Sequence, residues 1–255
     1  MRVKKVKVIK DIVYDEFNNK LDLYLPENTN FKTVIYFHGG GLVSGEKDYD
    51  NMVSFGKTYT DNGYAFVSAN YRMYPVNKFP TFIIDASSAV KYIYDNIGNY
   101  NGSKDLIVTG SSAGAWLALM LCFNKEYLLN KGIDPLTIKS WIIDSAEPLS
   151  HFNVLENELG IDPRLQRIDE YAPIYYLNKD SEFSSILLLY YEHDMICRNE
   201  QNRLFYAVIK MFNENSVIKQ VELKGNHCDG SSKVDDNGEY PYIVESLKWL
   251  KERGL

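Results

Sequence analysis

Two periodicities divide the chain. Short apolar or alternating runs of strand length fall at about residues 3–13, 21–25 (LDLYL), 33–37 (TVIYF), 64–69 (YAFVSA), 105–109 (DLIVT), 138–143 (IKSWII), 185–191 (SILLLYY) and 217–223 (VIKQVEL). Several are apolar throughout, as expected of strands covered on both faces. Between them, about 48–62, 80–97, 113–124, 199–213 and 241–252 repeat apolar residues at helical spacing.

From about residue 33 onward strand and helix alternate, which predicts an α/β fold: a mostly parallel sheet of about eight strands with helices on both faces. The opening runs join it as antiparallel edge strands. No repeat, low-complexity tract or Pro/Gly-rich linker interrupts the alternation, so residues 1–255 are expected to form one domain. Sheets of this kind bind ligands beyond the carboxyl ends of their strands. Chemistry is therefore to be sought just after each strand.

Composition narrows the partners. A net charge of -6 at pH 7 is the wrong sign for a phosphate backbone, which excludes a nucleic-acid partner. Three cysteines, Cys122, Cys197 and Cys228, with no C-x-x-C pairing, indicate neither a disulfide framework nor a zinc site. The opening MRVKKVKVIKDIVY alternates Val with Lys and lacks an apolar core, so it predicts a half-solvated strand and not a signal peptide. Without a run long enough to span a bilayer, the expectation is a cytoplasmic chain with no membrane partner. The candidate partners are a small-molecule substrate and a second copy of the chain, as a homodimer.

After the run DLIVT comes Gly110-Ser111-Ser112-Ala113-Gly114, then the apolar AWLALML. Strand, tight turn and helix in that order are the setting of a nucleophile elbow, with Ser112 as nucleophile and the two glycines allowing strand and helix to crowd together. A serine capping an ordinary glycine turn is the competing reading; placement after a buried strand favours the elbow. After TVIYF comes His38-Gly39-Gly40-Gly41. Bare backbone N–H groups in such a run can approach a developing oxyanion. Gly39 and Gly40 are the expected donors, with Gly41 as a further candidate, joined by Ala113 just after the nucleophile.

Serine needs a base. Of the four histidines, His38 is expected to brace the glycine loop, His151 begins a helical segment, His193 adjoins Asp194, and His227 follows the last strand. The chain order nucleophile, acid, base favours His227. The carboxylate should follow the preceding strand, where Glu192 and Asp194 compete and Asp194 is preferred. Gly41, Leu42 and Ser111 are candidate substrate contacts. Tyr71 and Arg72 are expected to be structural, and no metal or organic cofactor is implied.

These stretches, with LDLYLP, NYRMYPVNKFP, LLLYYEHD and ELKGNH, make the chain resemble the α/β-hydrolases of the esterase/lipase group that carry an HGGG oxyanion motif. The branches it is similar to are the acetyl esterases, the feruloyl or acetyl-xylan esterases and the kynurenine formamidase-like enzymes. The resemblance implies the α/β-hydrolase fold and a catalytic set of Ser112, Asp194 and His227, with Gly39, Gly40 and Ala113 around the oxyanion. It also implies a serine carboxylesterase acting on short-chain acyl esters, acetyl or feruloyl esters of sugars among them, with a small cap at about residues 145–184. Amide or thioester hydrolysis by the same residues, and a non-catalytic binding role, are the alternatives. Ser111 stands where many relatives have Asp or His, Leu42 where an aromatic is common, and Tyr191 where glycine often precedes the acid loop. Leu155, Leu159, Tyr175 and Tyr176 of the cap either line an acyl pocket or pack the cap onto the body.

Overall fold

The structure, a computed structural model, describes residues 6–255. Residues 3–5 of the expected opening strand lie outside the described residues. The strands are β1 (Lys7–Val13), β2 (Lys20–Leu25), β3 (Phe31–Phe37), β4 (Ala65–Ala69), β5 (Gly102–Ser111), β6 (Ile138–Asp144), β7 (Ile186–His193) and β8 (Ile218–Asn226). The helices are α1 (Asp50–Asp61), α2 (Thr81–Asn96), α3 (Ala113–Phe123), α4 (Glu126–Leu129), α5 (Phe152–Leu159), α6 (Arg198–Phe212), α7 (Asp229–Ser232) and α8 (Pro241–Glu252).

Among the described residues the strands form one sheet in the order β1-β2-β4-β3-β5-β6-β7-β8. Strand β2 runs antiparallel to β1 and β4, and every other pairing is parallel. The expected edge strands and parallel centre are both present. The outer edge is blunted by a register break between Ile9 and Ile12, where Asp11 takes a φ of 57° and its N–H donates to Asp22 Oδ1 at 2.9 Å.

Each sheet face has its own core. Phe82 of α2, Trp116 of α3 and Phe205 of α6 are fully buried in one cluster; Met52 and Phe55 of α1 and Tyr242 and Trp249 of α8 are buried in the other. Large apolar side chains such as these each contribute about 1.5–3 kcal/mol on burial. Helix α3 is buried along its whole length, so the continuous apolar run AWLALML needs no polar face.

Strand β3 continues into α1 on one sheet face, whereas β5 continues into α3 on the other. Adjacent strands whose connections diverge in this way open a crevice at their carboxyl ends. Phe37 of β3 pairs with Gly110 of β5, so the segments beginning at His38 and Ser111 enter that crevice side by side. Between β6 and β7, residues 145–184 contribute α5 and a 3-10 turn at Pro173–Tyr176. Neither the short helix α4 nor α7, which interrupts the loop after His227, was signalled by the hydrophobic pattern. Each is a single turn, too short to display a periodicity.

Candidate active site

Ser112 joins β5 to α3 with φ 54° and ψ -117°, a conformation an L-residue adopts only under external constraint. The constraint is visible. Its N–H donates to Asp144 O at 2.8 Å and its carbonyl accepts from Trp116 N at 3.0 Å. A Cβ on Gly114 would run into the Phe37 carbonyl oxygen, and one on Gly110 would lie 2.8 Å from that same atom. Both glycines are therefore required by close packing of strand, turn and helix, which is what lifts the Ser112 hydroxyl beyond the sheet.

The glycine run crosses directly over this turn. A Cβ on Gly39 would lie 3.1 Å from Ser111 O and 3.3 Å from Ser112 Cβ, and Gly40 and Gly41 take φ of 107° and 63°. Backbone thus approaches the serine where a side chain could not. Ala113 is the first residue of α3, where helical N–H groups have no partner within the helix. His38 is buried and braces the loop as expected: its Nδ1–H donates to Gly39 O at 2.8 Å and its ring stacks on Tyr71 at 4.4 Å. Tyr71 in turn donates to His38 O at 2.7 Å, and burial depresses the His38 pKa, keeping the imidazole neutral. Arg72 forms a forked pair with Asp85, 2.9 Å from Nε and 2.7 Å from Nη2.

His227, just past β8, presents Nε2 to Ser112 Oγ at 2.9 Å and Nδ1 to Asp194 Oδ1 at 2.5 Å. Asp194 lies in the turn after β7, and Met195 N–H donates to its Oδ1 at 2.7 Å. Burial raises the pKa of this carboxyl, but the His227 contact and charge, with the Ser145 and Met195 donors, outweigh it and leave it below the ordinary carboxylate value. Of the two competing acids Asp194 faces the histidine, while the Glu192 side chain is exposed beside His193. Serine, imidazole and carboxylate in this line can pass a proton from Oγ to Nε2 with the resulting imidazolium held by an ionised acid.

One of the three expected substrate contacts finds another place. Leu42 is fully buried in the core, because the loop turns it inward at φ 63°. Ser111 borders the cavity beside Ser112 but is 4% exposed, with its hydroxyl donating to Asp144 Oδ2 at 2.5 Å and accepting from Tyr36 OH at 3.0 Å. Gly41 does line the cavity beside Ser112 and is held from behind by Asn153 of α5, whose Nδ2 donates to Gly41 O at 2.5 Å. Leu155 is buried, and Tyr175 and Tyr176 pack edge to face on one another. None of these three, nor Leu159, lines that cavity. His151 caps α5, with Nδ1 accepting from Asn153 N at 3.2 Å.

The cavity measures about 360 Å³ and is floored by Gly39, Gly40, Ser112 and His227. Tyr49, Asn51 and Met195 form part of its wall, and none of them carries a sequence motif that would have marked it. Ser145 and Asp144 were missed as well, although a polar pair ending the apolar run WII was a usable signal. Among the described residues no group of three or more His, Cys, Asp or Glu is placed to hold a metal ion, and no helix is long and apolar enough to cross a membrane. The three cysteines are unpaired.

The BD-FAE family model matches residues 21–209, which is 189 of the 255 residues. A probable isoprenylcysteine alpha-carbonyl methylesterase of Arabidopsis thaliana is 35% identical over 115 residues, covering 44% of this chain and 24% of the relative. An arylesterase of Saccharolobus solfataricus is 32% identical over 107 residues, covering 40% and 34%. The chain thus spans only about a quarter to a third of the length of these relatives. The apo form of esterase 2 of Thermogutta terrifontis superposes with a TM-score of 0.76 at 20% identity, covering 100% of this chain and 96% of that one. That esterase is also known with butyrate bound and phosphoramylated by tabun. A truncated carbohydrate esterase from gut microbiota gives a TM-score of 0.77 at 19% identity, covering 97% and 96%. At these identities the structural likeness is one of fold, the α/β-hydrolase fold.

Proposed function

The chain belongs to the BD-FAE family of α/β-hydrolases, and from that footing we propose that it is a serine carboxylesterase hydrolysing short-chain acyl esters, acetyl or feruloyl esters of sugars among them. The observation that carries the reading is the unbroken line from Ser112 Oγ through His227 to Asp194, 2.9 Å and 2.5 Å long. In the proposed cycle His227 Nε2 takes the Ser112 proton as Oγ attacks the ester carbonyl. The N–H groups of Gly39, Gly40 and Ala113 receive the oxyanion, and the same proton leaves with the alcohol. Water activated by His227 then releases the acid. Asp194 stays ionised and fixes the imidazole tautomer.

The limited cavity supports a short acyl group, as does the butyrate held by a neighbour of the same fold. Residues 145–184 would serve as the cap, reaching the glycine loop through Asn153. The test is hydrolysis of p-nitrophenyl esters from acetyl to octanoyl by wild type and Ser112→Ala. A maximum at acetyl or butyryl that disappears in the variant supports the proposal. An inactive wild type, or a variant that keeps its rate, overturns it and turns attention to amides and thioesters.

A further inference from the structure

Ser145 stands between the two outer members of this line without belonging to it. Its Oγ donates to Asp194 Oδ2 and lies 2.8 Å from His227 Nδ1. The two faces of Asp194 are thereby occupied differently: Oδ1 receives His227 and Met195, whereas Oδ2 receives Ser145. The Asp194 side chain has no solvent exposure, and neither does Ser145. Removing the hydroxyl would therefore take the donor from a buried carboxylate oxygen.

The backbone fixes Ser145 with equal care. It follows β6 directly and takes φ 58°. Its N–H donates to Leu189 O of β7 at 2.8 Å, and its carbonyl accepts from Arg198 Nη1 of α6 at 3.1 Å. Arg198 is itself buried, 3.5 Å from Glu147. A left-handed serine anchored at both ends by neighbouring elements is placed to within hydrogen-bond tolerance.

We propose that Ser145 is a positioning residue for the line Ser112, His227 and Asp194, an inference that rests on the esterase reading of that site. Its O–H ties Asp194 Oδ2 in place while its lone pair gives His227 Nδ1–H a second acceptor. The imidazole is thereby held in the tautomer and orientation that present a bare Nε2 to Ser112. The charged and titratable groups around it are Asp144 on β6, Glu147 beyond it, Asp194 after β7, Arg198 on α6, and His227 and Cys228 after β8. None of them has a hydrogen on Asp194 Oδ2.

The test compares Ser145→Gly with Ser145→Ala. Glycine removes the hydroxyl and accepts the left-handed backbone; alanine removes the hydroxyl and resists it. Both are expected to lower kcat roughly ten- to a hundredfold with KM near wild type. Both should also move the acid limb of the kcat/KM profile, since Asp194 loses a donor and the Nδ1–H of His227 loses an acceptor. A glycine variant with wild-type kcat and an unmoved limb overturns the proposal, even if the alanine variant is impaired. The low-field proton resonance of His227 Nδ1–H provides a readout that needs no substrate. It should shift between wild type and Ser145→Gly, and an unchanged resonance refutes the proposal whether or not any ester is turned over. An inactive wild type with a shifted resonance would count against the esterase reading and leave the positioning role standing.

Discussion

The hydroxyl of Ser111 turns away from its neighbour Ser112 and donates to the buried carboxylate of Asp144 at 2.5 Å. Tyr191 OH donates to the other oxygen of that carboxylate at 2.7 Å. Strands β5, β6 and β7 are thus joined beneath the serine by one acid.

Burial raises the Asp144 pKa, against the opposing hydrogen bonds of Ser111, Tyr191 and Ser231 and the charge of His227. The folded chain therefore holds this proton more tightly than the unfolded chain. Its contribution is fully present below the ordinary carboxylate pKa of about 3.9 and is lost as pH rises through the folded value. Asp144→Asn removes that dependence. The Tm difference, variant minus wild type, should increase with pH across this window and then level off; a difference that is flat or falls with pH would contradict the burial argument.

Asp194 has the opposite sign. Its depressed pKa keeps it ionised, so the acid limb of the wild-type kcat/KM profile should show a slope of one proton. A two-proton slope would mean that the acid titrates with the base. Asp194→Asn should lower kcat by roughly 10⁴ with the fold intact, the loss expected when the imidazole takes the wrong tautomer. The stability Asp194 contributes is present above the ordinary carboxylate range and lost as pH falls through its folded pKa. The Tm gap between wild type and this variant should therefore narrow on acidification.

Gly114→Ala should destabilise the chain by roughly 1–3 kcal/mol or more, because the new methyl meets the Phe37 carbonyl, which is backbone and pinned in the sheet. Gly98→Ala is the control, with nothing within 4 Å of its added carbon. Urea unfolding of the pair should separate them clearly. Equal midpoints would show that the elbow has room to relax.

Lys47 closes the glycine loop onto β2. Its Nζ lies 2.8 Å from Asp22 Oδ1, and both side chains are buried. Lys47→Met leaves Asp22 without a countercharge and should cost roughly 3–5 kcal/mol by denaturant unfolding. Adding Asp22→Asn should recover part of that loss. A double variant no better than the single one would place the cost in lost packing of the lysine stem.

The parallel sheet was legible because its central strands are covered on both faces and carry unbroken apolar runs, as at residues 141–143 of β6 and 186–191 of β7. Ser112, Gly39 and Gly40 were legible because tight backbone geometry restricts which residues can stand there, and restriction leaves a pattern. His227 and Asp194 followed from chain order and from their places after strands. Leu42 was misplaced because sequence position next to a site does not settle which way a side chain points. A left-handed φ sends the Leu42 side chain into the core, whereas Ser111 borders the cavity with its hydroxyl turned to Asp144. The end of the run WII marks Ser145 as a polar residue just past a strand, but its partners stand 49 and 82 positions away. No local pattern records such a meeting.

Ser112 and His227 are separated by 115 positions, and this spacing sets an order of events during synthesis. On the reading proposed here, a nascent chain carries its nucleophile and glycine loop long before it carries a base. Until elongation passes β8, every copy on the ribosome is an unarmed hydrolase, unable to attack esters it meets while still folding.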